Sequence, residues 1–424
     1  MRTPQPASEL TAFARWSIVA LLAAVLFINY VDRGALPTAA HLIQDELRLT
    51  PQQLGVLFSA FFWTYSVLQI PVGWFAERYG AQRVLGAGLA LWACATMLVG
   101  VAHSFAALLL LRLLLGIGES AGFPCASKLL AVAVPVESLG LANGIVAFAY
   151  QFGPAVGTYC GGLIMVHYGW RATFWIFGGL SLLWLLPWSR VRLPRESRTE
   201  PGPDTPSMRD ILRRPSLWGT ALGLFSTNYV FYFVLSWLPL YVVRERGFST
   251  GQMASLIGSA YLVSALSSII AGWAIDRLVR EGHANIAYKS VMVVAHLGTL
   301  VCMLCIAFGS QPWALAGIFT YQVITGAASA GVFAIPQILA GPAASARWVG
   351  IQNCCGNFAG VIAPAVTGFL VGETGHFGAA FVTAARVSDA GVIGWVWMVP
   401  TLAPLVWPSR GTTIDAHPAT LASK

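Results

Sequence analysis

The chain has 424 residues, 57% hydrophobic and 10% charged, with a mean hydropathy of +0.69 and a formal net charge of +8. Soluble domains carry about 25% charged residues, so this composition excludes a soluble protein and points to a polytopic membrane protein. The positive balance does not imply nucleic acid, because the basic residues gather in alternate loops rather than on one face.

A span needs about 20 mostly apolar residues. Twelve such segments follow in order: 15–40, 53–75, 82–102, 105–133, 139–166, 171–189, 216–243, 251–275, 287–308, 312–340, 348–371 and 378–407. The first begins with the basic flank and apolar run of a signal peptide. Asp32 and Arg33 follow that run directly and many similar segments come after, so it reads as an uncleaved span. The fourth carries Arg112 and Glu119. An ionisable side chain at such depth costs about 2.5–3.5 kcal/mol on insertion scales, so these four charges are candidates for function. Between the sixth and seventh spans, residues 190–214 are rich in Pro and charge and read as a solvated linker. The expected organisation is a tail (1–14), an N-terminal six-helix bundle (15–189), the linker (190–214), a C-terminal six-helix bundle (215–407) and a second tail (408–424). The fold class is an all-α membrane protein of two pseudo-symmetric bundles.

Eighteen of the 25 Lys and Arg residues fall on one side of this arrangement when the N-terminus is placed in the cytoplasm. That bias predicts cytoplasmic N- and C-termini. The seven cysteines all fall within predicted spans and form no disulfide framework. The halves are related in sequence. Gly73-x-x-x-Glu77-Arg78 ends the second span and Gly272-x-x-x-Asp276-Arg277 the eighth. Gly140-x-x-Asn143 with Pro154-Ala-Val recurs 210 residues later as Gly350-x-x-Asn353 with Pro364-Ala-Val. Parallel repeats of this kind place a transport site near the midplane between two bundles.

Gly73-Trp-Phe-Ala-Glu77-Arg78-Tyr-Gly80-Ala-Gln-Arg83 resembles the loop motif between helices 2 and 3 of the major facilitator superfamily, with Glu77 in place of the usual Asp. Arg112-Leu-Leu-Leu-Gly116-Ile-Gly118 resembles its helix 4 motif. Asn29-Tyr30-Val-Asp32-Arg33, the run Phe61 to Trp74, and Gly118-Glu119-Ser-Ala-Gly-Phe123-Pro124 are similar to the anion:cation symporter family. That group includes bacterial hexuronate, galactonate and glucarate carriers, sialin and the vesicular glutamate carriers. The resemblance covers nearly the whole chain and implies a twelve-helix carrier of organic anions.

Arg112 and Glu119 are seven residues apart, two turns along one helix face. Asp32 and Arg33 are adjacent and point about 100° apart. The simplest arrangement turns Asp32 toward the fourth span, beside Arg112, and leaves Arg33 free to project into a cavity. A planar guanidinium holds a carboxylate through paired hydrogen bonds better than Lys does. The resemblance implies that Asp32 and Glu119 take up protons, with Arg112 the switchable partner between them. Desolvation favours the protonated acid and a neighbouring Arg the ionised one. The competing reading is a buried charge network that only locks the first span to the fourth.

Polar and aromatic residues at helical spacing supply candidate contacts: Tyr65 and Gln69, then Gln151, then Asn228, Tyr229, Tyr232 and Trp237. Tyr321, Gln322 and Gln337 on the tenth span and Asn353 and Asn357 on the eleventh complete the set. Each reads as a substrate contact, or as an interhelical hydrogen bond or interfacial aromatic. For Tyr65, Gln151 and Asn357 the resemblance implies substrate contact. Glu77, Arg78, Arg83, Asp276 and Arg277 sit at cytoplasmic helix ends, where they can pair with the opposite bundle and close an inner gate. Gly153-Pro154-Ala-Val-Gly157 resembles an antiporter-associated motif and reads equally as a bend with close packing. Arg386 and Asp389, at i and i+3, are expected to pair with each other or to snorkel toward the outer face.

The expected function is secondary active transport: proton-coupled symport of a small organic anion by alternating access, carried out by a monomer in the lipid bilayer of a bacterial inner membrane. A sugar acid such as a hexuronate or aldonate is favoured, because Arg33 is expected to be the one unpaired membrane cation and a dicarboxylate would need a second. The rivals are exchange or uniport of aromatic or other carboxylates, and a channel or membrane enzyme. A channel needs a continuous polar lining and an enzyme a nucleophile or metal set, and neither is visible. His41, His103, His167, His283, His296, His376 and His417 show no metal-ligand spacing. No phosphate loop or nucleophile elbow is present, so no cofactor and no ATP-driven pump is expected.

Overall fold

Thr50 and Ser249 each begin a long helix with the same device. The cap oxygen accepts the backbone N–H of Gln53 at 3.2 Å and of Gln252 at 3.3 Å, and each Gln side chain accepts the cap's own N–H at 2.9 Å. The two caps are 199 residues apart, as are Gly73 and Gly272 at the other ends of the same helices. The internal repeat therefore runs the length of both helices.

The computed structural model describes residues 11–134, 136–191, 206–341, 344–399 and 401–407. Among them there is no strand. In chain order the elements are α1 (Ala12–Leu47), α2 (Pro51–Tyr79), α3 (Ala81–Val99), α4 (Phe105–Glu119), α5 (Gly122–Ala133), α6 (Val136–Leu183) and the short α7 (Leu185–Trp188). Then come α8 (Met208–Leu212), α9 (Pro215–Arg244), α10 (Thr250–Arg280), α11 (Ala284–Phe308), α12 (Gln311–Ala340), α13 (Ser345–Thr374), α14 (Gly378–Ile393) and a π-helical turn (Gly394–Met398). Nine helical stretches of the described residues are long and apolar enough to cross a membrane. α2 and the two arms of α6 bring the number of membrane-length pieces to the twelve expected.

Four boundaries differ from expectation. The fourth span is bent at Ser120 and Ala121 into α4 and α5; Pro124, four residues on, has no N–H to offer the Ser120 carbonyl. The fifth and sixth spans run together as α6, interrupted at Gly169, whose φ of 77° is open to glycine. The last span leaves helical geometry after Met398 rather than at 407, because Pro400 and Pro404 cannot donate within a helix. The linker is not solvated to its end: Ser207 caps α8, and Arg347 donates to the Pro206 carbonyl at 2.6 Å. Residues 192–205, 1–10 and 408–424 lie outside the described set.

Helices α1–α7 form one half and α9–α14 the other. Two seams join them, α2 against α13 and α6 against α10, with α1 against α9 between. Both seams are lined by small residues that let backbones approach. A Cβ on Gly55 would lie 2.7 Å from the Pro364 carbonyl oxygen, and one on Gly258 would lie 2.8 Å from Tyr159 Cβ. Around them, Ser59 Oγ donates to the Val361 carbonyl at 2.7 Å and Trp237 Nε1 to that of Pro364 at 3.2 Å.

Polar ties close the same end of the interface. His41 Nε2 and Thr250 Oγ1 are 2.8 Å apart, and Asp45 pairs with Arg244. Within the C-terminal half at this end, Glu245 accepts the Phe377 N–H at 2.6 Å and lies 3.7 Å from the His376 ring. At the other end the halves diverge around a cavity.

Candidate functional site

The cavity has a volume of about 850 Å³ and lies between the halves. It reaches Leu130 and Asn143 on one side and Ser345 and Gly350 on the other, and so opens at the end that carries the α5–α6 and α12–α13 connections. The structure is thus closed at one end and open at the other.

Of the twelve candidate contacts at helical spacing, nine line this cavity: Tyr65, Gln69, Gln151, Asn228, Tyr232, Gln322, Gln337, Asn353 and Asn357; Tyr229 and Tyr321 do not. Helical geometry explains the grouping, since Asn353 and Asn357 are one turn apart on α13, as are Tyr65 and Gln69 on α2. Gln151 Nε2 donates to Ser268 Oγ on α10 at 3.2 Å, and Tyr232 OH to Asn357 Oδ1 at 2.8 Å. Trp237 does not line the cavity. It is fully buried one turn farther toward the closed end, edge-on to Phe58 and Phe377.

Arg33 also stands apart from the lining, 4% exposed behind the cavity wall. The free cation expected there is paired: its Nε donates to Glu119 Oε2 at 2.9 Å, with Glu119 fully buried. Three rings surround the guanidinium, Tyr65 at 4.4 Å, Tyr30 at 4.7 Å and Phe61 at 4.9 Å to the centroids. Its Nη2 is buried and without a partner. Asp32 does not meet Arg112 as expected; its carboxylate oxygens are buried without an ion pair, and the Trp92 indole is the donor beside them. Arg112 instead donates from Nε to the Leu57 carbonyl at 3.2 Å and lies 5.1 Å from the Phe61 centroid. The correction has a simple cause. Asp32 and Arg33 project along different radii of α1, and it is Arg33 that meets α4 at the level of Glu119. Glu119 remains within electrostatic reach of Asp32, Arg33 and Arg112, so the four act as one set.

The predicted gate residues do not bridge the halves in this conformation. Arg277 pairs with Glu281 on its own helix at 3.3 Å, Arg78 lies 5.4 Å over Trp74, and Arg83 is exposed. The side chains of Glu77 and Asp276 lie outside the described set. Arg386 and Asp389 are both exposed and form no ion pair with each other. Gly153 and Gly157 face α1, where a Cβ would lie 2.7 Å from the Phe27 carbonyl oxygen and 2.6 Å from that of Val31. Close packing therefore accounts for that motif. All seven cysteines are free, and no metal-like cluster occurs among the described residues.

Sequence reasoning missed several lining residues. Tyr30 and Tyr150 adjoin residues that were singled out, yet their own rings complete the wall. α10 gave gate residues but no expected substrate contact, although Tyr261 and Ser264 lie on one face at i and i+3. Thr325 and Ser329 continue the face of Gln322 at i+3 and i+7, a signal that period alone carries. No Lys, Arg, Asp or Glu is among the residues that line the cavity.

The family model described as Major Facilitator Superfamily matches residues 22–364. The chain is 29% identical to the probable sulfoacetate transporter SauU of Cupriavidus necator, covering 92% of this chain and 94% of that protein. It is 28% identical to the probable galactarate/D-glucarate transporter GudP of Escherichia coli, covering 87% and 90%. Among solved structures, a bacterial homologue of the human lysosomal transporter Spinster superposes with a TM-score of 0.73 at 19% identity, covering 92% and 96%.

Proposed function

The chain belongs to the Major Facilitator Superfamily and is a multi-pass membrane transporter, not an enzyme; on that premise we propose that it carries a small organic anion together with protons by alternating access. Two of its relatives bear the names of anion carriers, one for sulfoacetate and one for sugar diacids. The observation that carries the reading is the buried Arg33–Glu119 pair near an Asp32 that has no ion pair, one layer of tyrosines behind the cavity.

Breaking a buried ion pair by removing one charge is costly, about 3–5 kcal/mol, because it strands the other. An anion that enters and pairs with Arg33 supplies the missing charge, while a proton on Glu119 neutralises the carboxylate it displaces. Anion and proton therefore favour each other. The unpartnered Nη2 is the first donor an arriving carboxylate meets, and bidentate binding follows as Glu119 withdraws. Asp32, buried without an ion pair, is the second candidate carrier of a proton. Arg112 holds the rear of the set through Leu57 and leaves Arg33 to the cargo.

The cavity holds a hydroxylated carboxylate such as an aldonate or hexuronate. With the Lys and Arg bias facing the cytoplasm, the open end is the cytoplasmic one and the structure is inward-facing. The closing gate forms when the ends of α2 and α10, with Arg78, Arg83 and Arg277, approach the opposite half. Uptake of D-gluconate or D-glucuronate into proteoliposomes, driven by an imposed proton gradient, tests the proposal. Saturable uptake that collapses with a protonophore supports it. Uptake indifferent to the protonophore but dependent on internal anion replaces symport with exchange.

A further inference from the structure

The C-terminal half presents the cavity with buried polar atoms that no other described residue satisfies. Tyr261 on α10 and Gln322 on α12 both line it and are 4% and 2% exposed. The tyrosine hydroxyl and the Gln322 Nε2 have no hydrogen-bond partner. Thr325 and Ser329 extend the Gln322 face along α12, and Ser264 sits one turn from Tyr261. The oxygen and nitrogen groups of this wall are hydroxyls and carboxamides, which both donate and accept, and among the described residues no charged side chain lines the cavity.

A buried donor without a partner is costly, so water or a solute fills these positions. The opposite wall places Tyr30, Tyr65, Phe123 and Tyr150 in front of Arg33, with the unpartnered Ser66 Oγ and Gln69 Nε2 beside them. A ligand that suits both walls has one carboxylate for the arginine and hydroxyls along the rest of its length. An apolar or aromatic acid of the same size would leave the Tyr261 and Gln322 atoms dry. Sites built to hydrogen-bond a hydroxyl reject analogues that lack it by up to 10⁴–10⁵-fold, whereas apolar pockets discriminate weakly, by roughly 10–200-fold.

We propose that Tyr261 and Gln322 form a hydroxyl-recognition subsite, which makes the cargo a polyhydroxylated carboxylate rather than an aromatic or simple aliphatic acid. This rests on the reading of Arg33 as the anion site. The test is calorimetric binding to the purified full-length carrier, using D-gluconate against hexanoate and D-glucuronate against cyclohexanecarboxylate. The wild-type protein should bind at least one hydroxylated acid about tenfold or more tightly than its deoxy counterpart. Tyr261→Phe and Gln322→Leu should each weaken the hydroxylated acid by roughly tenfold and leave the deoxy acid unchanged, so that the preference narrows. Thr325→Val, which removes one hydroxyl at nearly constant volume, should move in the same direction and serves if either of the others does not fold. Equal weakening of both acids, an unaltered preference, or a wild-type protein that binds neither hydroxylated acid overturns the subsite. D-gluconamide separates the two proposals. If it binds as well as D-gluconate, the anion reading of Arg33 fails, while the loss of preference in the variants still decides the role of Tyr261 and Gln322.

Discussion

At Arg33, charge, shape and stacking act on one side chain. Its planar head lies among three rings at 4.4–4.9 Å and keeps one edge on Glu119. Each such cation–π contact is worth about 0.5–2 kcal/mol; a Lys ammonium keeps part of that attraction but has neither the planar face to lie on a ring nor the paired N–H groups for bidentate binding. Arg33→Lys should therefore weaken anion binding by roughly 10–100-fold while the protein still folds, as calorimetry with a matched thermal melt would show. Glu119→Gln keeps an acceptor for Arg33 Nε but has no proton to exchange. Counterflow of the anion should stay within a few-fold of wild type, and gradient-driven uptake should fall by about tenfold or more, keeping only the pH dependence that Asp32 supplies. Uptake that still follows the proton gradient undiminished would remove Glu119 from the coupling. The identity of the four charged residues was legible in the sequence because each interrupts an apolar run. Their pairing was not. Adjacent residues on a helix face different neighbours, and nothing local in Asp32-Arg33 says which of them the incoming Glu119 will meet.

Helices meet across the two halves on seams of small side chains. The α2–α13 seam leaves Gly55 no room for a side chain, since a Cβ there would sit 2.7 Å from the Pro364 oxygen and 3.1 Å from Gly368 Cα. Gly55→Val should overpack this end by about 1–3 kcal/mol and shift the population toward the outward-open form by about 5–150-fold. Spin labels at Gln52 and Thr374, both near that end, should report the added separation in pulsed dipolar spectra. The seams also show what periodicity can read. Nine of the candidate contacts lie on cavity faces because period 3.6 assigns residues to a face and the face to a neighbour. Trp237 shares a helix with Tyr232 but lies past the level at which the halves close, and height along a span is not encoded in period. The bend at Ser120 was foreshadowed by Pro124, whereas the merging of two spans through Gly169 depends on a single φ angle that composition does not announce.

For the molecule as a whole, all the polar ties described between the halves near the closed end are short-range, and those that carry charge are solvent-accessible. Asp45 and Arg244 are 61% and 43% exposed, and exposed pairs contribute about 0.2–1 kcal/mol. Asp45→Asn should thus move the inward–outward balance by no more than about fivefold, measured by the accessibility of cysteines placed at Gln52 and at Ser345 to impermeant reagents on either side. The twelve-span frame and its internal repeat were legible because a bilayer sets span length and duplication leaves matched caps and glycines. The depth of the cavity was not, since it comes from how two rigid halves lean on each other. The placement of the exposed pair has one more consequence. It faces the solution on the side the cavity does not, and mobile ions screen such a pair over about 8–10 Å at physiological strength. Salt added to that far compartment should loosen the latch, and salt on the cavity side should leave it intact. The carrier would then be a vectorial sensor, whose readiness to turn toward a compartment is set by the ionic strength of the compartment it has not yet opened to.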